Sequence, residues 1–317
     1  MKRCLYCYDR LADESIDFHA GCCKKIFGTT EPPIIPYSED QMLQLAEQII
    51  KSQSTVTGVQ AKLSLNIEKG PKTSQPRRFT IVGLWGGYIL KPPTTKYKYL
   101  PEVEDLTMHL AQLVGIEVVP HSLIRLSSGK LAYLTKRIDR IGSLKVHMED
   151  MCQLTEKLTE QKYNGSYEQI AKAILKYSTN PGLDVTIFYE QVLFSFLTGN
   201  ADMHLKNFSL IDHPEIGYIL CPAYDMVASN LIVEGDNEEL ALNLNGKKRK
   251  IKKRDFIEAI SKSNVDKKAV ENMFNKFNSS IDNWHKYIDI SFLPNEIKKG
   301  YHDLIVKRAS QIFEPTN

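Results

Sequence analysis

The sequence predicts an α+β protein with a strand-rich first half and a mostly helical second half. Three observations carry this. Short apolar runs bounded by Gly and Pro recur between residues 55 and 136, as paired strands require. The run TIFYEQVLFSFL, Thr186–Leu197, is apolar all round, which marks a helix buried in a large core. Helical spacing dominates from Glu149 onward, and polar residues gather in the loop after the buried helix. The expected divisions are a Cys/His module at 1–30, a strand-rich part at 31–148 and a helical part at 149–317.

The elements follow in order. After the Pro-rich EPPIIPYSED, Ser38 and Gln41 stand at capping-box spacing, and Leu43, Leu45, Ile49 and Ile50 predict an amphipathic helix to about residue 52. Residues 55–67 read as strand–turn–strand around Gly58. Arg78 to Pro92 adds two strands broken by Gly83, Gly86 and Gly87. Val103, Leu106, Leu110 and Leu113 place a helix over Glu102–Val114. Leu123–Leu126 and Lys130–Lys136 form a hairpin across SSG, and Asp255 to Glu314 is helical again.

With 317 residues, 42% hydrophobic and 25% charged, the chain is globular and long enough for a large core. A net charge of +3 is too small to indicate nucleic acid by itself. No apolar run approaches the ~18 residues of a membrane span, and MKRCLYCYDR lacks the apolar stretch of a secretory signal. A cytoplasmic protein with no membrane partner is expected.

The loop GNADMHLKNF carries the chemistry. Asp202 and Asn207 are separated by four residues, the separation at which protein kinases set a base aspartate and a metal-binding asparagine. Phosphoryl transfer needs a proton acceptor for the hydroxyl and oxygen ligands holding Mg²⁺ against the phosphates. Asp225, in PAYDM after the next strand, supplies a second metal oxygen, and Lys206 is placed to steady the transferring phosphate. Taken singly this is a weak match, since an Asp and an Asn in a turn also cap backbone N–H groups. The order around it adds weight. GGYILKPP ends an apolar strand on Lys91, a nucleotide lysine's position. Glu104 follows thirteen positions later on a helix, as in the kinase lysine–glutamate pair. The plainer alternative is a snorkelling lysine and a solvated glutamate. In STVTGVQAK, the backbone of Gly58 and Val59, followed by Lys62, would cover phosphates, or form an ordinary hairpin. His204 and His147 read as bases or as structural hydrogen bonders. No Walker loop, Rossmann fingerprint or G-x-S-x-G elbow is present.

Six motifs in order, TVTGVQAKLSL, YILKPP, LTKRIDR, HMEDMCQL, TGNADMHLKNFSL and CPAYDMVAS, resemble the HipA-like serine/threonine kinase toxins over about residues 53 to 310. The resemblance implies a bilobed protein-kinase-like fold, with a strand-rich small lobe and a mostly helical large lobe. It implies Lys91 as the ATP lysine, Asp202 as base, Asn207 and Asp225 as magnesium ligands, and Arg137, Ile138, Gln153 and His204 around the nucleotide. It further implies autophosphorylation of the Gly58 loop as an off switch, here at Ser54, Thr55 or Thr57. The family's S-x-S pattern reads Thr55-Val56-Thr57 in this chain. The short layout is similar to HipT, so two partners are expected: a small antitoxin replacing an amino-terminal subdomain, and a helix-turn-helix antitoxin linking to DNA. The implied substrate class is an aminoacyl-tRNA synthetase, with or without tRNA.

Cys4-x2-Cys7-x11-His19-x2-Cys22 offers four soft ligands in two close pairs, a pattern that builds tetrahedral zinc. A reduced, metal-free hairpin packed through Leu5, Tyr6 and Phe18 is the alternative. Cys23 is a spare ligand, whereas Cys152 and Cys221 read as core. The run GKKRKIKKRD, tipping a hairpin before a helix, would attract polyanions or merely keep a loop solvated. Three functions remain: a kinase toxin, a kinase-shaped corepressor that holds a DNA-binding antitoxin without turnover, and a small-molecule kinase.

Overall fold

The structure, a computed structural model, describes residues 2–45, 62–68, 76–82, 86–141, 144–235 and 237–314. The chain divides into two compact units, Met1–Asp105 with Val119–Ser143, and Leu106–Val118 with Leu144–Asn317. The architecture is α+β, with the larger antiparallel sheet in the first unit and most helices in the second.

The first unit contains helix α1 (Ala20–Phe27), a helix α2 described over 39–45, strands β1 (Leu63–Glu68), β2 (Arg78–Ile81) and β3 (Tyr88–Lys91), and the start of α3 (Leu100–Leu113). It continues with β4 (His121–Arg125), β5 (Leu131–Lys136) and the short β6 (Arg140–Ile141). Ser38 and Gln41 make the reciprocal cap expected of them, Ser38 N–H donating to the Gln41 side chain at 2.9 Å. The predicted end of that helix, and the 55–61 strand and turn, lie outside the described residues. Five strands pair antiparallel in the order β2-β1-β3-β5-β4. β3 is central, with Leu63 opposite Leu90 and Tyr133 opposite Lys91. A central strand buried on both faces reads as a continuous apolar run, which explains YIL before the lysine.

The Cys/His module falls in this same unit. Leu5 carbonyl accepts from Leu123 N–H at 3.2 Å and from the Ser122 hydroxyl at 3.0 Å. Phe18, Phe27, Phe79 and Tyr88 form an edge-to-face series with centroids 5.4–6.0 Å apart, each contact adding about 0.5–1.5 kcal/mol beyond burial. The module's 25 or so residues thus complete their core against the sheet rather than within themselves.

The second unit holds β7 (Leu144–Lys145), β8 (Met148–Asp150), α4 (Met151–Leu154), α5 (Tyr167–Tyr177), α6 (Pro181–Thr198), β9 (Ser209–His213) and β10 (Gly217–Leu220). Helices α7 (Ser229–Ile232), α8 (Lys253–Ser261), α9 (Lys267–Ile290) and α10 (Asn295–Phe313) complete it. The all-apolar run is α6, longer at both ends than the run itself because Pro181 suits the first turn and Gly199 ends the helix left-handed at φ 69°. A Cβ on Gly199 would stand 2.5 Å from Leu304 Cδ2. Phe194 of α6 packs edge-on to Trp284 of α9 at 5.5 Å, and the Trp284 indole donates to Leu110 carbonyl at 3.0 Å. The basic run contains no strand: Leu244 and Lys247 make a single bridge around Asn245 and Gly246, both at positive φ. Lys247 pairs with Asp255 at 2.6 Å and Lys248 with Glu238 at 3.3 Å, so two of its charges are partly neutralised before α8 begins. No helix among the described residues is long and apolar enough to cross a membrane.

Candidate active site

In the first unit, β3 delivers Lys91 to a buried position where its ammonium meets Glu104 Oε1 at 2.5 Å. The lysine also lies over the Tyr133 ring, 5.4 Å from its centroid. Glu104 stands in the first turns of α3 and is itself buried, so this pair is desolvated and held from a strand and a helix at once. Removing one member would strand a charge. Next along the helix, Asp105 accepts from the Tyr8 hydroxyl at 2.8 Å through Oδ2 and meets His121 Nδ1 at 2.7 Å through Oδ1.

In the second unit, three strands pair antiparallel in the order β10-β9-β8. Ser209 opposes Asp150 and Leu210 opposes Leu220, so the end of β8, the start of β9 and the end of β10 share one edge of the sheet. The candidate residues hang from that edge. The Asp202 carbonyl accepts both from His204 N–H at 2.8 Å and from the Asn207 side-chain amide at 3.0 Å. These two hydrogen bonds tie Asp202 and Asn207 into one loop and engage the amide nitrogen of Asn207 rather than its oxygen. Met203 and Leu205, fully buried, anchor the loop between them. Asp225 follows β10 with a left-handed backbone, φ 59°, a conformation that Asp tolerates better than most residues and that concentrates at functional sites.

Lys206 pairs with Asp150 at 2.7 Å. Tyr224 secures the same stretch: its hydroxyl donates to Lys206 carbonyl at 3.1 Å and accepts from Ser209 at 2.5 Å. Desolvation raises the Tyr224 phenol well above its ordinary range, which keeps the donor proton in place. His204 is buried, and desolvation lowers its imidazole to about 4, so it is neutral near pH 7. Its ring meets Tyr163 edge-on at 5.0 Å. Tyr163 donates its hydroxyl to Asp202 Oδ1.

The remaining residues are placed as follows. Gln153 closes a reciprocal cap with Asp150 at the start of α4, its side chain accepting from Asp150 N–H at 2.9 Å. Arg137 forms a two-point pair with Asp139, at 2.9 and 2.7 Å. Ile138 is partly exposed beside it, and Lys62 is exposed at the entry to β1. His147 bonds the Tyr218 hydroxyl at 3.1 Å, away from the Asp202 loop. Gly58, Val59, Ser54, Thr55 and Thr57 lie outside the described residues. Sequence spacing missed Tyr163, Tyr224, Tyr8 and Asp105. Asp150 had a signal, the D-x-x-Q capping spacing with Gln153.

The ligand atoms of Cys4, Cys7, His19 and Cys22 all lie within 4.8 Å of one another. Cys23 is outside this group, buried as a core residue with its thiol pushed up to about 11 by desolvation. Cys152 and Cys221 are buried, and none of the six cysteines forms a disulfide.

A family model described as the HipA-like C-terminal domain matches residues 54–284. A Sinorhizobium fredii protein named "Putative kinase Y4dM" is 34% identical over 209 residues, covering 62% of this chain and 49% of its own. The serine/threonine-protein kinase toxin HipA of Shewanella oneidensis is 28% identical over 213 residues, covering 61% and 47%. The chain thus spans about half the length of these curated relatives. Among solved structures, a chain from the Shewanella oneidensis complex of HipA, HipB and operator DNA superposes with a TM-score of 0.68 at 20% identity, covering 89% of this chain and 72% of that one. The Helicobacter pylori proinflammatory kinase CtkA gives 0.52 at 18% identity, covering 71% and 87%. These two likenesses show the fold, and with the match across most of the sequence the conclusion is that this chain belongs to the HipA-like C-terminal domain family of kinase-like proteins.

Proposed function

We propose that this chain is a protein kinase that transfers the γ-phosphate of ATP to a serine or threonine hydroxyl, as the toxin of a type II toxin–antitoxin system. The observation that supports it most is the Asp202 carbonyl bound by both His204 N–H and Asn207, which fixes an acid and an amide in one loop on the sheet edge that also carries Asp225. In this reading Asp202 accepts the proton of the attacking hydroxyl. The new bond forms from that oxygen to the γ-phosphorus, the bond to the β–γ bridging oxygen breaks, and ADP leaves. Lys91, oriented by Glu104, holds phosphate oxygens. Asn207 and Asp225 offer one amide and one carboxylate oxygen, a donor set that fits a hard divalent cation. Mg²⁺ held there would neutralise charge on the phosphates. Lys206, carried by Asp150, keeps a positive charge beside the loop.

Autophosphorylation of Ser54, Thr55 or Thr57 is the proposed off switch, since a phosphate adds about −1.5 to −2 charge beside ATP phosphates. An antitoxin partner is proposed because the similar Shewanella structure is a complex with HipB and operator DNA. Incubation of the purified protein with labelled Mg-ATP and host lysate is the test. Asp202→Asn should abolish transfer with Mg-ATP binding intact, and Asp225→Asn should abolish transfer and weaken that binding. Transfer at the wild-type rate by either variant refutes the assignment. The competing reading, a corepressor that needs no turnover, rests on the same HipB–DNA likeness. It gains if the Asp202→Asn protein represses its operon normally while wild-type protein labels nothing.

A further inference from the structure

The module at residues 2–27 reaches the neighbour of Glu104 by one buried hydrogen bond, Tyr8 to Asp105, and its four ligand atoms have the spacing of a metal site. A tetrahedral zinc ion with bonds of about 2.3 Å to sulfur and about 2.05 Å to nitrogen needs sulfur–nitrogen separations of about 3.5 Å. Cys7 Sγ lies 3.4 Å and Cys22 Sγ 3.8 Å from His19 Nδ1. The other ring nitrogen, Nε2, is 3.1 Å from Arg10 carbonyl. A carbonyl only accepts, so Nε2 carries the proton and Nδ1 turns its lone pair toward the thiols. This backing of a ligating histidine by a backbone carbonyl is the usual outer partner at zinc sites. His19 precedes α1 without capping it, as expected of a ring committed elsewhere.

The same turn that sets Cys4 against Cys7 sets Tyr8. Tyr8 N–H donates to Cys4 carbonyl at 3.0 Å, and Cys4 N–H to Asp9 carbonyl at 2.9 Å. Tyr8 has a left-handed backbone, φ 63°, and its side chain is fully buried. A bulky residue held at positive φ costs about 1–2 kcal/mol and persists only where its surroundings over-determine it. Its hydroxyl reaches Asp105, the neighbour of Glu104, at 2.8 Å.

We propose that Cys4, Cys7, His19 and Cys22 bind one zinc ion as a closed structural site, and that this site, through Tyr8 and Asp105, positions the first turns of α3 and hence Glu104 against Lys91. Three thiols lose their protons to solvent on binding, and the imidazole enters neutral. Tyr8 is a positioning residue in this scheme. The part that concerns nucleotide rests on the proposed kinase function, whereas the metal site and its hold on α3 do not.

The test uses the full-length protein, purified without chelators. Elemental analysis should give about one zinc per chain, and exchange for Co²⁺ should give the intense visible bands of tetrahedral cobalt thiolate. Absence of both overturns the site. Tyr8→Phe keeps the ring and the four ligands, so zinc content should not change. Amide hydrogen exchange over the 100–113 helix should become about tenfold faster, as the loss of one buried hydrogen bond implies. Unchanged exchange in that helix, with zinc retained, overturns the positioning role. Tyr8→Phe should also weaken ATP binding by about tenfold. Failure of the wild-type protein to bind ATP at all would count against the kinase reading, while the zinc and exchange results would still decide this proposal.

Discussion

The Tyr163 hydroxyl donates to Asp202 Oδ1, the carboxylate assigned as proton acceptor. A phenol and a substrate hydroxyl are the same kind of donor, so Tyr163 competes for the oxygen that the acceptor needs. Tyr163→Phe keeps the edge contact with His204 and removes only that competition. The KM for the protein acceptor should fall about fivefold, in line with about 1 kcal/mol for one hydrogen bond, with kcat changed by no more than about twofold. Steady-state kinetics on an identified acceptor check this. A raised KM would instead make Tyr163 part of the acceptor site.

The buried Lys91–Glu104 pair predicts an asymmetry in stability. Glu104→Leu leaves an ammonium without its carboxylate in a desolvated position and should cost about 3–5 kcal/mol, whereas Lys91→Met with Glu104→Leu should cost far less. Denaturant unfolding of the two variants measures the difference. Equal losses would mean that the lysine escapes to water.

Asp225 is left-handed at φ 59°. Asn accepts this conformation and Ala does not, so Asp225→Asn should unfold at nearly the wild-type denaturant midpoint. Asp225→Ala should lose about 1–2 kcal/mol. The comparison separates the backbone demand from the loss of the carboxylate, which both variants share.

Glu102, in the first turn of α3, is raised by desolvation to about 7 from 4.5, with Asp105 adding to the shift. Its folded form therefore keeps a proton that the unfolded chain has already released. Between about pH 4.5 and 7 the folded state binds more protons, so stability falls as pH rises through that window and the loss is complete above it. Glu102→Gln should remove the slope, gaining at most about 3 kcal/mol at pH 8 and little at pH 4. Unfolding curves across that range test it, and a pH-independent difference between the two proteins would count against a desolvated, protonated Glu102.

Much of this arrangement was legible in sequence because its parts are local. The apolar run of α6 announces a buried helix, and thirteen positions from strand end to helix place Glu104 within reach of Lys91. Asp202 and Asn207 share one loop, and Ser38 with Gln41 mark a helix start four residues long. What spacing cannot record is a hydrogen bond between segments far apart in the chain. Tyr163 reaches Asp202 across 39 positions, Lys206 reaches Asp150 across 56, and Tyr8 reaches Asp105 across 97. Each of these side chains sits in a stretch whose periodicity reports only burial. The expected hairpin under the basic run failed for a related reason. Leu240, Ala241, Leu242 and Leu244 are all buried and Asn243 is exposed, so LALNLN does not alternate as a half-buried strand would. Asn245 and Gly246 reverse the chain within a single bridge, and carboxylates from 238 and 255 hold the lysines there.

The edge of β8–β9–β10 that carries Asp150, Asn207 and Asp225 has an opposite end, the turn joining His213 to Gly217. Pro214, Glu215 and Ile216 are exposed there, and four strand residues at about 3.3 Å each set the turn roughly 13 Å from the loop. A fluorophore or short epitope grafted between Pro214 and Ile216 would therefore ride on the sheet that carries the candidate site without touching it. That makes the turn an attachment point for testing whether the proposed antitoxin binds in a cell while Asp202, Asn207 and Asp225 stay native.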